Sequence, residues 1–227
     1  MGRRADHPRT RRVRVASNTA ISLDGRINTR EGRFSSLGTA RDHARMSLLR
    51  AGADAILVGG ATFRNWPHPS LPDDADRERL ADRPWNVVVS RSLDVPLTPA
   101  FLAEKGVRPL FLTRAGSVPS GFAAEVETWD GPGSDLPVAW ILKILQRRGV
   151  QRLLIEAGGD LLFQFLAADA IDEMFVTLCP LVIGGDTPSL VDGAGFSWAQ
   201  MRRLRLLESV VDGDELFLRY ATVRASD

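Results

Sequence analysis

The sequence predicts a single α/β domain built on a mixed sheet, and three observations carry that prediction. Short continuous apolar runs, Ala55-Ile56-Leu57-Val58 and Leu153-Leu154-Ile155, mark strands buried on both faces. Stretches of helical period stand between such runs. The chain closes on Leu204–Val211 and Glu215–Ala221, joined across Asp212-Gly213, a type I′ hairpin signal. Strand–helix alternation with an antiparallel end gives a sheet that is mainly parallel. The 227 residues suffice for one full core, and no repeat or linker divides residues 13–222.

Composition narrows the function classes. A net charge of +1 argues against a nucleic-acid or membrane-surface protein. No apolar run approaches the roughly 20 residues of a membrane span. The lone Cys179 rules out an intramolecular disulfide, and a reducing cytoplasm is the expected compartment. His7, His43, His68 and Cys179 are scattered, so no metal site is expected.

Residues 1–12 read as a basic flexible tail; no aromatic residues are interleaved with its arginines, as a nucleic-acid arm would need. The first strand is Val13–Ala20, followed by a turn at Asp24-Gly25 and a polar loop, Asn28–Gly38. Thr39 is the expected N-cap of a helix to about Ala51, with Asp42 closing a capping box and Ala44, Leu48 and Leu49 facing inward. Gly52 ends it. The strand Ala55–Val58 meets the turn Gly59-Gly60-Ala61-Thr62, and Phe63–Pro72 reads as a loop. Further strands are expected at Pro84–Val89, Leu110–Arg114 and, at an edge, Val126–Trp129. Leu136–Arg148 is an amphipathic helix with Ala139, Leu142 and Leu145 on its core face, stopped by Gly149. Ile171–Leu178 is a strand, and Pro180–Phe196 a long glycine-containing loop.

The stretch that organises the rest is Leu153–Leu166. A strand runs into Ala157-Gly158-Gly159, then into a helix with Leu161, Leu162, Phe165 and Leu166 at helical spacing. Such a turn gathers free backbone N–H groups at a helix start and can seat a phosphate, although glycine there also serves packing alone. The Gly59–Thr62 turn repeats the arrangement, as a dinucleotide with two halves would need. Ser90-Arg91-Ser92 and Arg114 stand at strand ends, where a guanidinium can grip a phosphomonoester. Glu156, after three apolar residues, has the setting of a desolvated carboxyl able to act as an acid near neutral pH. Asp24 is a second such carboxyl, with a sufficient structural reason in its turn. His68, between two prolines, is a candidate acid or a surface residue.

Ser17-Asn18 with Ser22-Leu23-Asp24-Gly25-Arg26-Ile27, Gly52-Ala53-Asp54-Ala55-Ile56-Leu57-Val58-Gly59 with Thr62, and Leu154-Ile155-Glu156-Ala157-Gly158-Gly159 together resemble the reductases of riboflavin biosynthesis, the RibD C-terminal, dihydrofolate reductase-like family. Ile171-Asp172-Glu173, Pro180–Gly185 and Val191–Phe196 are similar to its archaeal and fungal stand-alone branch. The resemblance spans about Val13 to Ala221. It implies a three-layer dihydrofolate reductase-like fold, a homodimer and NADPH. It also implies hydride transfer to C1′ of a ribosylamino-pyrimidinone 5′-phosphate, giving a ribitylamine.

Carried over by position, it implies cofactor contacts at Thr62, Ser90, Gly158, Gly159, Asp160 and Leu161, to which the turn adds Gly59 and Gly60 and the strand-end placement adds Arg91 as cofactor-binding candidates. Substrate contacts are implied at Ser35 or Ser36, Arg50 and Glu156; His68 is a substrate-binding candidate from its own loop, and the catalytic candidates read from the residues are Glu156 and Asp24. One motif departs. After its glycine–threonine turn the family continues into Asp-Asp-Pro, whereas this chain reads Arg64-Asn65-Trp66-Pro67-His68-Pro69. Asn65 or His68 then stands in for a carboxylate, or the substrate is another heterocycle such as a dihydropterin. A dinucleotide-binding protein without turnover is the third reading.

Overall fold

Strand β1 (Arg14–Ile21) opens the sheet in the computed structural model, which describes residues 12–32, 37–77, 84–104 and 106–224. Helix α1 (Ala40–Ala51), β2 (Ala55–Gly59), α2 (Gly60–Asn65), α3 (Asp74–Arg77) and β3 (Trp85–Val89) follow. Then come α4 (Pro99–Ala103), β4 (Arg108–Arg114), β5 (Glu125–Trp129) and α5 (Val138–Arg147). β6 (Arg152–Ile155), α6 (Gly159–Ala167), β7 (Glu173–Leu178), β8 (Arg203–Asp212) and β9 (Glu215–Val223) complete the chain. The expected tail, apart from Arg12, and the candidates Ser35 and Ser36 lie outside the described residues.

The nine strands form one sheet in the order β5-β4-β3-β2-β6-β1-β7-β9-β8. Every pairing from β5 to β7 is parallel, and β9 and β8 run antiparallel. Alternate residues of the buried strands serve opposite faces. Leu57, Val87, Leu110 and Leu153 join α5 and α6 in the main core, while Val88 and Phe111 join Phe63 of α2 and Phe101 of α4 on the other face. Phe63 and Phe101 meet edge to face with centroids 4.7 Å apart. Ile56 and Leu154 pack with Leu49 of α1 on that second face. Each such fully buried side chain contributes about 1.5–3 kcal/mol. Leu93 fills the same core while holding φ at 53°, a conformation costly for a bulky residue.

Four local readings change. α5 turns Val138, Ile141, Ile144 and Leu145 inward, leaving Ala139 exposed and Leu142 half-buried. The segment after Gly59 is helical through Asn65 before the loop begins. The hairpin turn is Gly213-Asp214, with positive φ at Gly213 alone; that is the pattern of type II′, which wants glycine first. α1 buries Asp42 and Ser47, while Ala44 and Leu48 are exposed. Polar partners decide that last face. Ser47 donates to Asp76 (2.6 Å) and accepts from the Asp73 N–H (2.8 Å). Thr39 does cap the helix, accepting from the Arg41 N–H, but Asp42 turns inward and does not complete a capping box.

Sheet order fixes where a ligand can sit. From β2 the chain moves to β3 on one side, and from β6 it moves through α6 to β7 on the other. β2 and β6 are neighbours, with Leu57 opposite Ile155. Connections that leave adjacent parallel strands in opposite directions open a crevice at the strands' carboxyl ends. Here that crevice lies between the Gly59–Thr62 and Ala157–Leu161 turns.

Candidate active site

A cleft of about 880 Å³ opens at that crevice. This volume lies within the range of small-molecule and cofactor sites. Gly59, Gly60, Thr62, Ser90, Arg91, Gly158, Gly159, Asp160 and Leu161 line it, with Arg50, His68 and Glu156. Asp24 and Arg114 do not.

The two glycine turns differ physically. α6 starts at Gly159 without a side-chain cap, and a Cβ on Gly158 would meet nothing within 4 Å. Gly158 therefore leaves the backbone open to a close ligand. Gly159 does not: a Cβ there would stand 2.6 Å from both the Asp192 N and the Ser189 O, so this glycine seats the loop 189–192 against α6. Asp160 and Asp192 also stand at this helix start. Their carboxylates already complement the helix dipole there. The six-residue α2 brings Gly60 against Ser90, whose Oγ lies 2.8 Å from where a Cβ would be. Arg91 is exposed at the rim and pairs with Asp135 at 3.2 Å. An exposed pair of this kind is worth about 0–1 kcal/mol, so a phosphate can displace Asp135.

On the other wall Glu156 is not the isolated carboxyl its apolar strand implied. Arg50 donates from Nε to Oε1 at 2.8 Å and from Nη2 to Oε2 at 2.7 Å, and also to the Leu71 carbonyl at 3.0 Å. Burial disfavours the Arg50 charge, but Glu156 outweighs it and holds the Arg50 pKa above its usual value. Both Glu156 oxygens are therefore engaged as acceptors in this fork. Asp24 belongs to the fold. It accepts from Ser22 Oγ (2.6 Å), the Ile183 N–H (3.1 Å) and the Gly184 N–H (2.7 Å). These bonds, Ser22 first, lower its pKa from 3.8 to about 2. Its carboxylate ties the first turn to the 180–185 loop.

His68 lies on the cleft wall against Trp66, with ring centroids 4.5 Å apart. Asn86 fixes the adjoining loop, accepting from the Ser70 N–H (2.6 Å) and donating to the Ser70 carbonyl (3.1 Å). Sequence reasoning missed Asp42 as a cleft residue. Asp42, Met46 and Arg50 recur every four residues on α1 and all line the cleft. That spacing, on a helix without a continuous apolar stripe, was the available signal. Among the described residues no group of three or more His, Cys, Asp or Glu forms a metal site, and no helix is long and apolar enough to cross a membrane.

The model of the RibD C-terminal domain matches residues 13–218. The chain belongs to the RibD C-terminal domain family. A relative from Methanothermobacter thermautotrophicus, named 2,5-diamino-6-ribosylamino-4(3H)-pyrimidinone 5′-phosphate reductase, is 31% identical over 212 residues, covering 91% of this chain and 96% of the relative. Acinetobacter baumannii RibD shares the fold with a TM-score of 0.78 at 22% identity, over 94% of this chain and 59% of that longer protein. Dihydrofolate reductase from Enterococcus faecalis, solved with NADP(H), gives a TM-score of 0.51 at 16% identity, over 92% and 96% of the two chains. The fold of this RibD-family chain is therefore α/β of the dihydrofolate reductase-like kind.

Proposed function

We propose that this chain is an NADPH-dependent reductase of riboflavin biosynthesis, acting at C1′ of a ribosylamino-pyrimidinone 5′-phosphate. The observation that carries the reading is the cleft at the β2–β6 reversal, where the Gly158 cradle faces the Arg50–Glu156 wall. It is supported by the relative's name and by its near full-length match.

When bound, the cofactor supplies the hydride. The chain binds, orients and excludes water. Gly158 and the start of α6 receive the pyrophosphate, and Gly59, Gly60, Thr62 and Leu161 shape the channel around it. Ser90 and Arg91 flank the adenosine end. Arg91 is the candidate for the 2′-phosphate, because Arg114 lies off the cleft and donates to the Gly131 carbonyl. Arg91→Gln is expected to raise the KM for NADPH up to about tenfold, the scale of one partly exposed charge-assisted bond. The KM for NADH should stay where it is. Equal effects on both cofactors would remove Arg91 from the 2′-phosphate.

Arg50 and Glu156 form the substrate wall, with Glu156 as an orienting carboxylate and Arg50 keeping donors free for the substrate's phosphate. The Asn65–His68 segment occupies the place of the family's Asp-Asp-Pro. That departure is the one feature favouring a different heterocycle, such as a dihydropterin, on the same machinery.

We also infer a homodimer. β8 is exposed over nearly its whole length at the sheet edge and carries Leu204, Leu206, Leu207, Val210 and Val211. A long apolar edge strand is a pairing hazard unless a partner covers it. Sedimentation equilibrium should give twice the chain mass for the wild type and one chain mass for Leu206→Asp. A monomeric wild type rejects the inference.

A further inference from the structure

The proposed reduction requires an acid to open the ribose ring, and the two carboxyls that the sequence offered for it are engaged elsewhere. Glu156 accepts from Arg50 on both oxygens, and Asp24 lies outside the cleft. We propose that Asp42 is this acid, a proposal that rests on the reductase reading above.

Asp42 lines the cleft, yet the residue is only 6% exposed. Its carboxyl lies against the backbone of Gly38, where a Cβ would stand 2.2 Å from Oδ2. The other cleft carboxyls differ in kind. Asp135 and Asp160 are exposed, and Asp192 accepts from Ser189. No cation among the described residues stands within ion-pair distance of Asp42.

The groups around it are Thr177 of β7, which donates to it, Glu215 of β9, Cys179 just past β7, and His43 and Arg45 on its own helix. Glu215 is itself 2% exposed and holds the start of α1, accepting from the Thr39 N–H at 2.9 Å and its hydroxyl at 2.6 Å. Burial first, and then the Glu215 charge, raise the Asp42 pKa; Thr177, His43 and Arg45 pull the other way without cancelling them. The neighbouring thiol reports the same surroundings: burial, then Glu215 and Asp42, push Cys179 up to about 12. A buried carboxyl facing a second carboxyl keeps its proton to higher pH, as an acid working near neutrality must.

The step balances. The proton passes from Asp42 to the ring oxygen, and the C1′–O bond breaks with its electron pair left on that oxygen. The exocyclic nitrogen lone pair closes a C1′–N double bond. The hydride supplied by the reduced dinucleotide adds to C1′, leaving a neutral amine, and solvent returns a proton to Asp42.

The test is the pH profile of kcat for the wild type, Asp42→Asn and Glu215→Gln, with the diamino-pyrimidinone ribosyl phosphate, its deaminated counterpart and NADPH. Since protonated Asp42 is the active form, wild-type kcat should fall as pH rises through its pKa. Asp42→Asn should lose about 10²-fold or more in kcat and lack that alkaline limb, with NADPH affinity unchanged. Glu215→Gln removes the charge that raises Asp42, so the limb should move to lower pH, a shift that a purely structural role would not produce. If Asp42→Asn fails to fold, the Glu215→Gln shift decides. Full kcat in Asp42→Asn, or an unmoved limb in Glu215→Gln, overturns the proposal while leaving the reductase reading intact. A folded wild type that binds NADPH and reduces neither pyrimidine overturns the reading, and the proposal with it.

Discussion

Arg50→Met is expected to destabilise the protein by about 3 kcal/mol, more than any other single change at the cleft. The Glu156 side chain is 12% exposed and Arg50's 18%, and their fork carries two short hydrogen bonds. Removing the guanidinium strands a mostly buried carboxylate, and breaking such a pair from one side costs about 3–5 kcal/mol. The low end applies because both groups keep some solvent. Glu156→Gln should cost less, since the amide still accepts from Arg50 and Arg50 keeps the Leu71 carbonyl. The double variant should recover much of the loss, because neither charge is then left alone. Urea unfolding of the four proteins measures the coupling. Equal losses for Arg50→Met and the double variant would show that the stranded charge is not the cause. If the double variant is stable, the ratio of its KM for the phosphorylated substrate to that of Glu156→Gln tests Arg50 as a substrate contact without the confusion of unfolding.

Gly159→Val should be nearly as damaging, and for a different reason. The first side-chain atom alone would sit 2.6 Å from two backbone atoms of the 189–192 loop. Backbone cannot swing aside as a flexible side chain does, so the loop must move, at a cost of about 1–3 kcal/mol or more. The loop's own bonds go with it, among them Ser189 Oγ to Asp192 at 2.5 Å. Gly158→Ala is the control. Its added methyl meets no protein atom within 4 Å, so melting should change little while NADPH binding weakens. Should both variants melt alike and bind alike, the division of labour between these neighbours is wrong.

These two cases also mark how far the sequence could be read. β2, β3, β4, β6 and β7 were legible because strands buried on both faces are written as apolar runs, and α6 because four apolar residues agree on one face. α1 was misread for the opposite reason. Leu49 packs inward as expected, but Leu48 does not; Thr177, Glu215 and the 73–76 segment hold the buried Asp42–Ser47 face, and none is near it in sequence. Glu156 does line the cleft, but its environment depends on Arg50, 106 positions away. Asp24 is held by N–H groups from Ile183 and Gly184 that no local pattern announces. Both glycines of the α6 turn were legible as a turn. Only the arrival of the 189–192 loop separates the one that packs from the one that stays open.

The central claim is that the cleft at the β2–β6 reversal performs hydride transfer to a ribosylamino-pyrimidinone phosphate. The most direct measurement is consumption of NADPH by the purified protein, offered the diamino-pyrimidinone ribosyl phosphate and its deaminated counterpart, with NADH and a dihydropterin as controls. The account predicts NADPH oxidation with one of the two pyrimidines, formation of the ribityl product, and little turnover with NADH or the pterin. Tight NADPH binding with no turnover of either pyrimidine would contradict it, and turnover of the pterin instead would assign the Asn65–His68 departure to a different substrate.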